Sequence, residues 1–355
     1  MKDEMTRKER MLAAMRREPV DRIPTQIDFS PIMLDVMCRH YGVPCRGEHE
    51  LLAAMDNHLA YAYIDDAFGI TRYRNGAGAQ FAQDEWGATW DISVEGTFVV
   101  KHPLEDLKDY KNYVIPDPNR PGLLDNAERV IARFGKEYVV PSYQVVCIWE
   151  RYWMMRGLQN AYLDFYEEED FMNDFLDKIT NYQVELAKRY IRAGVDCGRT
   201  GDDYGSQNSM LFSPTVWREI IKPRLKRVVD VYKEAGLPVI HHSCGHVLPI
   251  IPDLIEIGVD VLNNVQPEAM AREDVAKYAG QITLYGGLST QHTIPQGSRE
   301  DIFREVADCI EKYNVNNGQL LSPGISITSD VSIERVNILM EAFNELAGAR
   351  YLIKK

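Results

Sequence analysis

LPVIHHSCG, residues 237–245, decides the fold of this chain. It is an apolar run of strand length that follows Gly236, and glycine is typical of the position just after a helix. If residues 239–244 form a strand, the side-chain period of two places His242 and Cys244 on one face. An imidazole and a thiol side by side suit zinc, and the alternative is a buried histidine beside a core cysteine.

Strand and helix patterns alternate on both sides of this stretch. Strands are predicted at 25–28, 138–141, 195–197, 238–244, 259–263, 282–286 and 318–322. Helices are predicted at 214–235, 249–257, 269–279, 298–314 and 333–347. Short buried strands that alternate with helices indicate βαβ units and a parallel sheet. Because no GxGxxG motif follows the first strand, an α/β fold of the (β/α)8 barrel type is favoured over a doubly wound sheet.

The N-terminal part of the chain is predicted to extend this barrel. Residues 6–18 read as an amphipathic helix that begins at Thr6, with Glu9 three residues later in a capping box. Residues 30–135 mix short helices, turns and aromatic strands, so we expect a helical and irregular extension here. No internal repeat or long linker divides the 355 residues, and a single domain over 1–355 is therefore predicted.

Composition narrows the classes of function. The formal net charge of −13 argues against a broad nucleic-acid interface, which needs basic surface. The chain contains no run of 18 apolar residues, so no membrane span is predicted. The first eight residues lack the apolar segment of a secretory signal. The six cysteines show no CxxC spacing, which fits free thiols in a reducing cytoplasm. We expect a cytoplasmic enzyme or binding protein.

Polar residues follow several predicted strands, where a (β/α)8 barrel builds its active site. Asp28 and Asp203 are the candidate catalytic acids or bases, and Asp202 is a candidate ligand of a metal. The candidate substrate-binding residues are Tyr204, Gln207, Asn264, Gln266 and Gln291. The alternative is structural, because aspartate also suits turns and helix caps and the amides could satisfy loop backbone.

Several motifs occur in a recognisable order along most of the chain. They are TRKERMLAA (6–14), DRIP (21–24), DEWG (84–87), GDDYGSQ (201–207), HSCG (242–245), GVDVLN (258–263), VQP (265–267) and YGGL (285–288). Together they resemble the uroporphyrinogen decarboxylase superfamily, whose members are (β/α)8 barrels and include cobalamin-dependent methyltransferases. The resemblance is nearest to the methyltransferase branch.

True uroporphyrinogen decarboxylases hold the carboxylates of a tetrapyrrole with an arginine-rich N-terminal segment. Here the corresponding stretch is PTQIDFSP, residues 24–31, which contains no arginine. Guanidinium groups bind carboxylates bidentately, so the obvious substrate clamp is absent from this stretch. Porphyrinogen decarboxylation is therefore not the favoured activity.

The methyltransferase branch carries a His-x-Cys…Cys zinc set, and His242 and Cys244 fit its first two positions. The third cysteine is replaced, since the chain reads Ser322-Pro323-Gly324-Ile325 and isoleucine cannot ligate. Either Asp202 or Asp203 completes the site, with Asp202 taken as the predicted ligand, or the metal has been lost. A carboxylate ligand would suit activation of an oxygen atom by a Lewis acid.

The resemblance implies a zinc-dependent methyltransferase that moves a methyl group between a small substrate and the corrinoid (cobalamin) of a partner protein. Trp86, Tyr204 and Tyr285 are expected to be available for stacking at the mouth of the barrel, which fits an aryl methyl ether as substrate. With such a substrate the reaction would be an O-demethylation. One alternative is a metal-free carboxy-lyase that uses Asp28 or Asp203 as acid or base, and another is a binding module without chemistry. The oligomeric state stays open, a homodimer included.

Overall fold

The computed structural model describes residues 4–44, 48–52, 54–64, 80–93 and 98–354. The strands are β1 (Phe81–Gln83), β2 (Thr89–Asp91), β3 (Phe98–Lys101), β4 (Gln144–Val145), β5 (Gly198–Gly201), β6 (Val239–His242), β7 (Val261–Val265), β8 (Thr283–Leu288) and β9 (Gln319–Pro323). The helices are α1 (Arg7–Met15), α2 (Pro31–Tyr41), α3 (Asp125–Phe134), α4 (Trp149–Arg156), α5 (Leu158–Glu167), α6 (Glu169–Ala193), α7 (Lys222–Glu234), α8 (Ile251–Glu256), α9 (Arg272–Val275), α10 (Thr293–Gln296), α11 (Arg299–Tyr313) and α12 (Ile333–Leu346). A helical turn (Pro214–Val216) and a π-helical turn (Trp217–Ile221) lead into α7.

Six parallel strands form the main sheet in the order β4-β5-β6-β7-β8-β9. Isolated parallel bridges continue it from β9 to Thr25, from Thr25 to Asn57, and from Leu59 to Val139 just before β4. The backbone N–H of Leu321 donates to the carbonyl of Pro24 at 3.0 Å, and that of Ala60 donates to Val139 at 2.9 Å. Eight parallel segments therefore surround one interior, and the predicted (β/α)8 fold is confirmed.

Two details of the sequence prediction are corrected. The segment around residues 57–62, which closes the ring, was not predicted as a strand. The strand predicted at 195–197 has its ladder at Gly198–Gly201, and only Cys197 of the predicted span forms a bridge, to Pro141. At the start of this segment the Asp196 side chain accepts a hydrogen bond from the backbone N–H of Val140 at 2.9 Å, so a side chain rather than a continuous ladder makes the contact there.

The barrel interior is filled by one inward-facing side chain from most strands. This cluster consists of Leu59, Tyr61, Val139, Cys197, Ile240, Val261, Tyr285 and Leu320, packed with Met11 and Met15 of α1. Helix α1 begins at Thr6 with the predicted capping box to Glu9. Its last turn meets the start of β8, where Thr283 Oγ1 donates to the carbonyl of Ala14 at 2.8 Å. The N-terminal helix thus closes the amino end of the barrel and leaves the carboxyl end as the mouth.

The predicted N-terminal extension contains a small antiparallel sheet of order β1-β2-β3. Its turn is organised by Asp84, which accepts hydrogen bonds from the backbone N–H groups of Trp86 and Ala88, both at 3.0 Å. Arg151 of α4 donates to the same carboxylate at 2.7 Å and its guanidinium lies over the Trp86 ring. Trp86 is buried, so the structure places this predicted stacking residue in the packing of the extension.

Within the ranges given above, no helix is long and apolar enough to cross a membrane. The single domain over residues 1–355 stays a prediction.

Candidate functional site

Three possible metal ligands converge at the carboxyl ends of β5 and β6. His242 ends β6, and its Nε2 lies 3.5 Å from Cys244 Sγ, as the period of two predicted. Asp203 follows β5, and its Oδ1 lies 3.6 Å from His242 Nε2. One ligand atom from each residue lies within 4.8 Å of the other two. Nitrogen, sulfur and oxygen donors of this kind are those that bind zinc in proteins.

Neighbouring amides orient two of these ligands. His242 Nδ1 lies 2.8 Å from Asn263 Oδ1, and because an amide oxygen only accepts, the ring donates from Nδ1 and keeps its Nε2 lone pair for a metal. Asn264 Nδ2 donates to Cys244 Sγ at 3.4 Å. Asn263 lies on β7 directly beside His242 in the register of the sheet. The donor set and its supporting hydrogen bonds therefore fit a zinc ion.

Partial burial determines the protonation states of His242 and Cys244. Loss of hydration lowers the pKa of His242, although the negative charge of Asp203 acts in the opposite direction. The imidazole is therefore neutral and able to bind a metal. Loss of hydration and the charge of Asp203 raise the pKa of the Cys244 thiol well above its usual value. A divalent cation compensates such a cost, because it stabilises the thiolate directly.

Asp202, the predicted third ligand, does not join this group. Its carboxylate is buried and accepts hydrogen bonds from the backbone N–H groups of Ile148 (2.8 Å) and Glu150 (2.9 Å) and from the hydroxyl of Tyr204 (3.1 Å). It thereby ties the start of α4 to the end of β5. Asp203, the alternative third ligand in the sequence analysis, is the residue that lies beside His242 and Cys244.

Ile325 offers no ligand atom, as the sequence indicated. Among the residues that the structure describes, only Asp203, His242 and Cys244 form a group of three metal-binding side chains. Asp203 and His242 are 39% and 18% exposed in their side chains, so the group is open toward the mouth of the barrel.

Backbone contact holds the two ligand-bearing loops together. A Cβ atom on Gly245 would lie 2.3 Å from the carbonyl carbon of Gly205, and the positive φ of +81° at Gly245 also favours glycine. The backbone N–H of His246 donates to the carbonyl of Ser206 at 2.8 Å. Gln266 Oε1 accepts a hydrogen bond from the N–H of Gly245 at 2.6 Å. The loop after β5 and the loop after β6 are thus fixed against each other.

The predicted substrate-binding residues are dispersed around this centre. Asn264 and Gln266 contact the Cys244 loop as described, whereas Tyr204 is fully buried with its ring stacked on His241. Gln207 and Gln291 lie on exposed loops. A role in binding substrate stays a prediction for all five.

Asp28, the predicted catalytic acid or base, lies at the lumen of the barrel. Its carboxylate accepts hydrogen bonds from Gln26 Nε2 at 2.7 Å, from the Tyr61 hydroxyl at 2.9 Å and from the Tyr285 hydroxyl at 3.1 Å. The two tyrosine hydroxyls are 2.9 Å apart. Asp28 therefore belongs to a connected polar network, and the Tyr285 ring is packed in the buried cluster of the barrel interior rather than exposed at the mouth.

Sequence reasoning missed two charged groups near the centre. Glu150 of α4 is one; loss of hydration and the charges of Asp203 and Asp202 raise its pKa well above the usual range. Arg199 of β5 is the other; it is 9% exposed, with its guanidinium 4.7 Å from the ring centroid of Tyr61. A charged residue inside the short buried strand GRTG was the available signal for Arg199, whereas the sequence around Glu150 carries none.

Known proteins resemble this chain at low identity. Methylcobamide:CoM methyltransferase MtbA of Methanosarcina acetivorans is 23% identical over 341 residues, which are 92% of this chain and 94% of that protein. A uroporphyrinogen decarboxylase of Thermus thermophilus is 26% identical over 186 residues, or 52% of this chain and 51% of that enzyme. The match to the Thermus enzyme thus spans about half of that protein's length.

A solved structure described as a methyltransferase from Methanosarcina mazei shares the fold. It superposes with a TM-score of 0.68 at 20% identity and covers 96% of this chain and 99% of its own. The family model described as Uroporphyrinogen decarboxylase (URO-D) matches residues 82–346. The resemblance indicated by the motifs is therefore confirmed, and this chain belongs to the uroporphyrinogen decarboxylase family.

Proposed function

We propose that this protein is a zinc-dependent methyltransferase that moves a methyl group between a small methylated substrate and the corrinoid of a partner protein. The observation that carries the proposal is the convergence of Asp203, His242 and Cys244 within 4.8 Å at the mouth of the barrel. The relatives named as methylcobamide:CoM methyltransferases, which align over most of their length, support the reaction class.

Asp203, His242 and Cys244 would hold the metal, and the mouth of the barrel would give substrate access to it. Zinc, when bound, supplies Lewis acidity to the heteroatom that carries the methyl group. With one thiolate and one carboxylate among the ligands, the site is less electron-rich than one with two thiolates. This donor set favours an oxygen-bound methyl group, as in an aryl methyl ether.

The remaining residues of the site position these ligands and line the lumen. Asn263 fixes the tautomer of His242 through its hydrogen bond of 2.8 Å, and Asn264 donates to the Cys244 sulfur. Tyr61 and Tyr285 are buried inside the barrel, and their hydroxyls lie 2.9 Å apart. The corrinoid is assigned to a partner because the sequence contains no recognisable corrinoid-binding motif.

Metal analysis of the purified protein tests the first half of the proposal. About one zinc per chain is expected, with an anomalous signal at the zinc edge between Asp203, His242 and Cys244. His242→Ala, Cys244→Ser and Asp203→Asn should lose the metal, whereas His40→Ala, on α2 and away from the barrel mouth, should keep it. A wild-type protein that binds no zinc would refute this half.

Methyl transfer tests the second half. Zinc-loaded protein is mixed with a reduced corrinoid protein and a set of aryl methyl ethers, and methylation of the corrinoid is followed by its absorbance. Transfer that disappears in His242→Ala and Cys244→Ser supports the proposal. Decarboxylation of a carboxylated substrate that survives both substitutions would instead favour the metal-free lyase.

A further inference from the structure

Arg199 places a positive charge inside the barrel. It lies on β5, is 9% exposed, and its guanidinium lies over the rings of Tyr61 and Tyr143, with 4.7 and 5.1 Å to their centroids. The two rings stand at 74° to each other with their centroids 6.3 Å apart, so aromatic surface encloses the guanidinium from two directions. The guanidinium of an arginine stays charged in proteins.

The charge of Arg199 has no ionic partner in the described part of the chain. Among the described residues, its Nε is buried without a hydrogen-bond acceptor, and none of their carboxylates lies within ion-pair distance of the group. The other buried arginines each have an ion pair, namely Arg10 with Asp21, Arg151 with Asp84, Arg156 with Asp164 and Arg224 with Asp177. Burying an unpaired cation is costly, so a buried guanidinium without an acceptor points to a ligand that supplies one.

The position of Arg199 relates it to the metal centre. Gly201 pairs with His242 and Arg199 pairs with Ile240 across β5 and β6. Arg199 is therefore one inward-facing layer below His242, or roughly 6–7 Å along the strand.

Asp28 is the lumen carboxylate that could have neutralised Arg199, and it is engaged elsewhere. It accepts hydrogen bonds from Gln26, Tyr61 and Tyr285. Arg199 thus faces the lumen with its donors unused, between tyrosine rings and beneath the candidate zinc ligands.

We infer that Arg199 binds the carboxylate of a small substrate whose methyl-bearing end reaches Asp203, His242 and Cys244. This deepens the proposed function, on which it rests, because it names the substrate class of the same site. One guanidinium edge presents two parallel N–H groups, which match the two oxygens of a single carboxylate. The tyrosine rings around it favour a flat body, so a methoxylated aromatic acid is the substrate class that this arrangement favours.

Binding of matched probes to the full-length protein tests the inference. 4-Methoxybenzoate and the neutral 4-methoxybenzamide are titrated by calorimetry into chelator-treated protein, in which a carboxylate cannot bind zinc, and into zinc-loaded protein. In both forms the carboxylate should bind about 10- to 100-fold more tightly than the amide, the range expected for hydrogen bonds to a charged group. Phosphate and methanesulfonate serve as further anions, and tighter binding of either than of the benzoate would overturn the carboxylate assignment.

Substitution of the arginine locates the effect. Arg199→Met should reduce carboxylate affinity to that of the amide, and Arg199→Lys should retain part of the preference. Arg299→Gln is the control, because that guanidinium also stacks on a ring, Phe303, but is exposed and paired with Glu341. If Arg199→Met does not fold, the test is decided by the carboxylate-over-amide preference of the wild-type protein and by its partial loss in Arg199→Lys.

Equal binding of benzoate and benzamide to wild-type protein would overturn the inference, and so would a preference that survives Arg199→Met. These outcomes are separable from failure of the proposed function. A protein without zinc that still prefers the carboxylate refutes the metal centre alone. A protein with one zinc and no carboxylate preference refutes the role of Arg199 alone.

Discussion

Replacing Asn263 by leucine is expected to weaken zinc binding by about 10- to 100-fold, without any change to the ligands themselves. Asn263 Oδ1 accepts the Nδ1 proton of His242 at 2.8 Å and so reserves Nε2 for the metal. Leucine has a similar volume but no acceptor. The histidine then loses the group that fixes its tautomer and its ring orientation.

The magnitude follows from that one hydrogen bond. Removing it gives up about 0.5–1.5 kcal/mol, and leaving Nδ1–H enclosed without a partner costs about 1–3 kcal/mol. Since each 1.4 kcal/mol is about tenfold in affinity, a loss of 10- to 100-fold corresponds to roughly 1.4–2.8 kcal/mol. The two ranges overlap, and burial of Asn263 at 5% exposure places the effect in this range rather than near zero.

Competition with a chromophoric zinc chelator at fixed pH measures the effect. Asn263→Asp keeps an acceptor for the imidazole and should bind zinc at least as tightly as wild type. Asn181→Ala, on the outer helix α6, is the control and should have no effect. A folded Asn263→Leu variant whose zinc affinity lies within twofold of wild type would refute the assignment of the tautomer and of His242 as a ligand.

Three further predictions concern stability and the site loops. Burial lowers the pKa of His58 to about 3, below its unfolded value of about 6.5, so its contribution to stability is full above pH 6.5 and is lost as the pH falls toward 3. Urea unfolding should therefore show a loss of about 1.6 kcal/mol between pH 6.5 and 5 that is reduced in His58→Gln, and equal pH dependence of the two proteins would contradict it. Asp84→Ala leaves Arg151 buried without its carboxylate partner. It should lower the free energy of unfolding by about 3–5 kcal/mol, and a loss below about 1 kcal/mol would contradict this prediction. Gly245→Ala should weaken zinc binding by about tenfold or more, while Gly236→Ala, at a similar positive φ but facing open space, should not.

The alternation of strands and helices made the barrel predictable from sequence. Strand residues 239–242 and 283–288 were located because buried parallel strands form short apolar runs between helices. The segment at 57–62 was missed, although Leu59 and Tyr61 face the interior with a period of two. Its backbone pairs through isolated bridges on either side, so its strand character depends on neighbours from distant parts of the chain.

The candidate site was predictable in its nearest pair and not in its third member. Two residues apart on one strand, His242 and Cys244 share a face whatever surrounds them. Asp202 and Asp203 are adjacent after β5, and their side chains diverge. Which of them turns toward His242 depends on α4, whose backbone N–H groups take up the Asp202 carboxylate.

By itself, the sequence determined two candidate donors, His242 and Cys244, the strand period that places them together, and the family to which the chain belongs. Only the tertiary structure decided that Asp203 is the third candidate donor, that Asn263 contacts His242, and that Arg199 is buried without a carboxylate partner among the described residues. The physical reason is that hydrogen bonding and charge pairing act through space. Residues 199, 203, 242 and 263 lie on the neighbouring strands β5, β6 and β7 or directly after β5, and the parallel pairing of these strands brings them together.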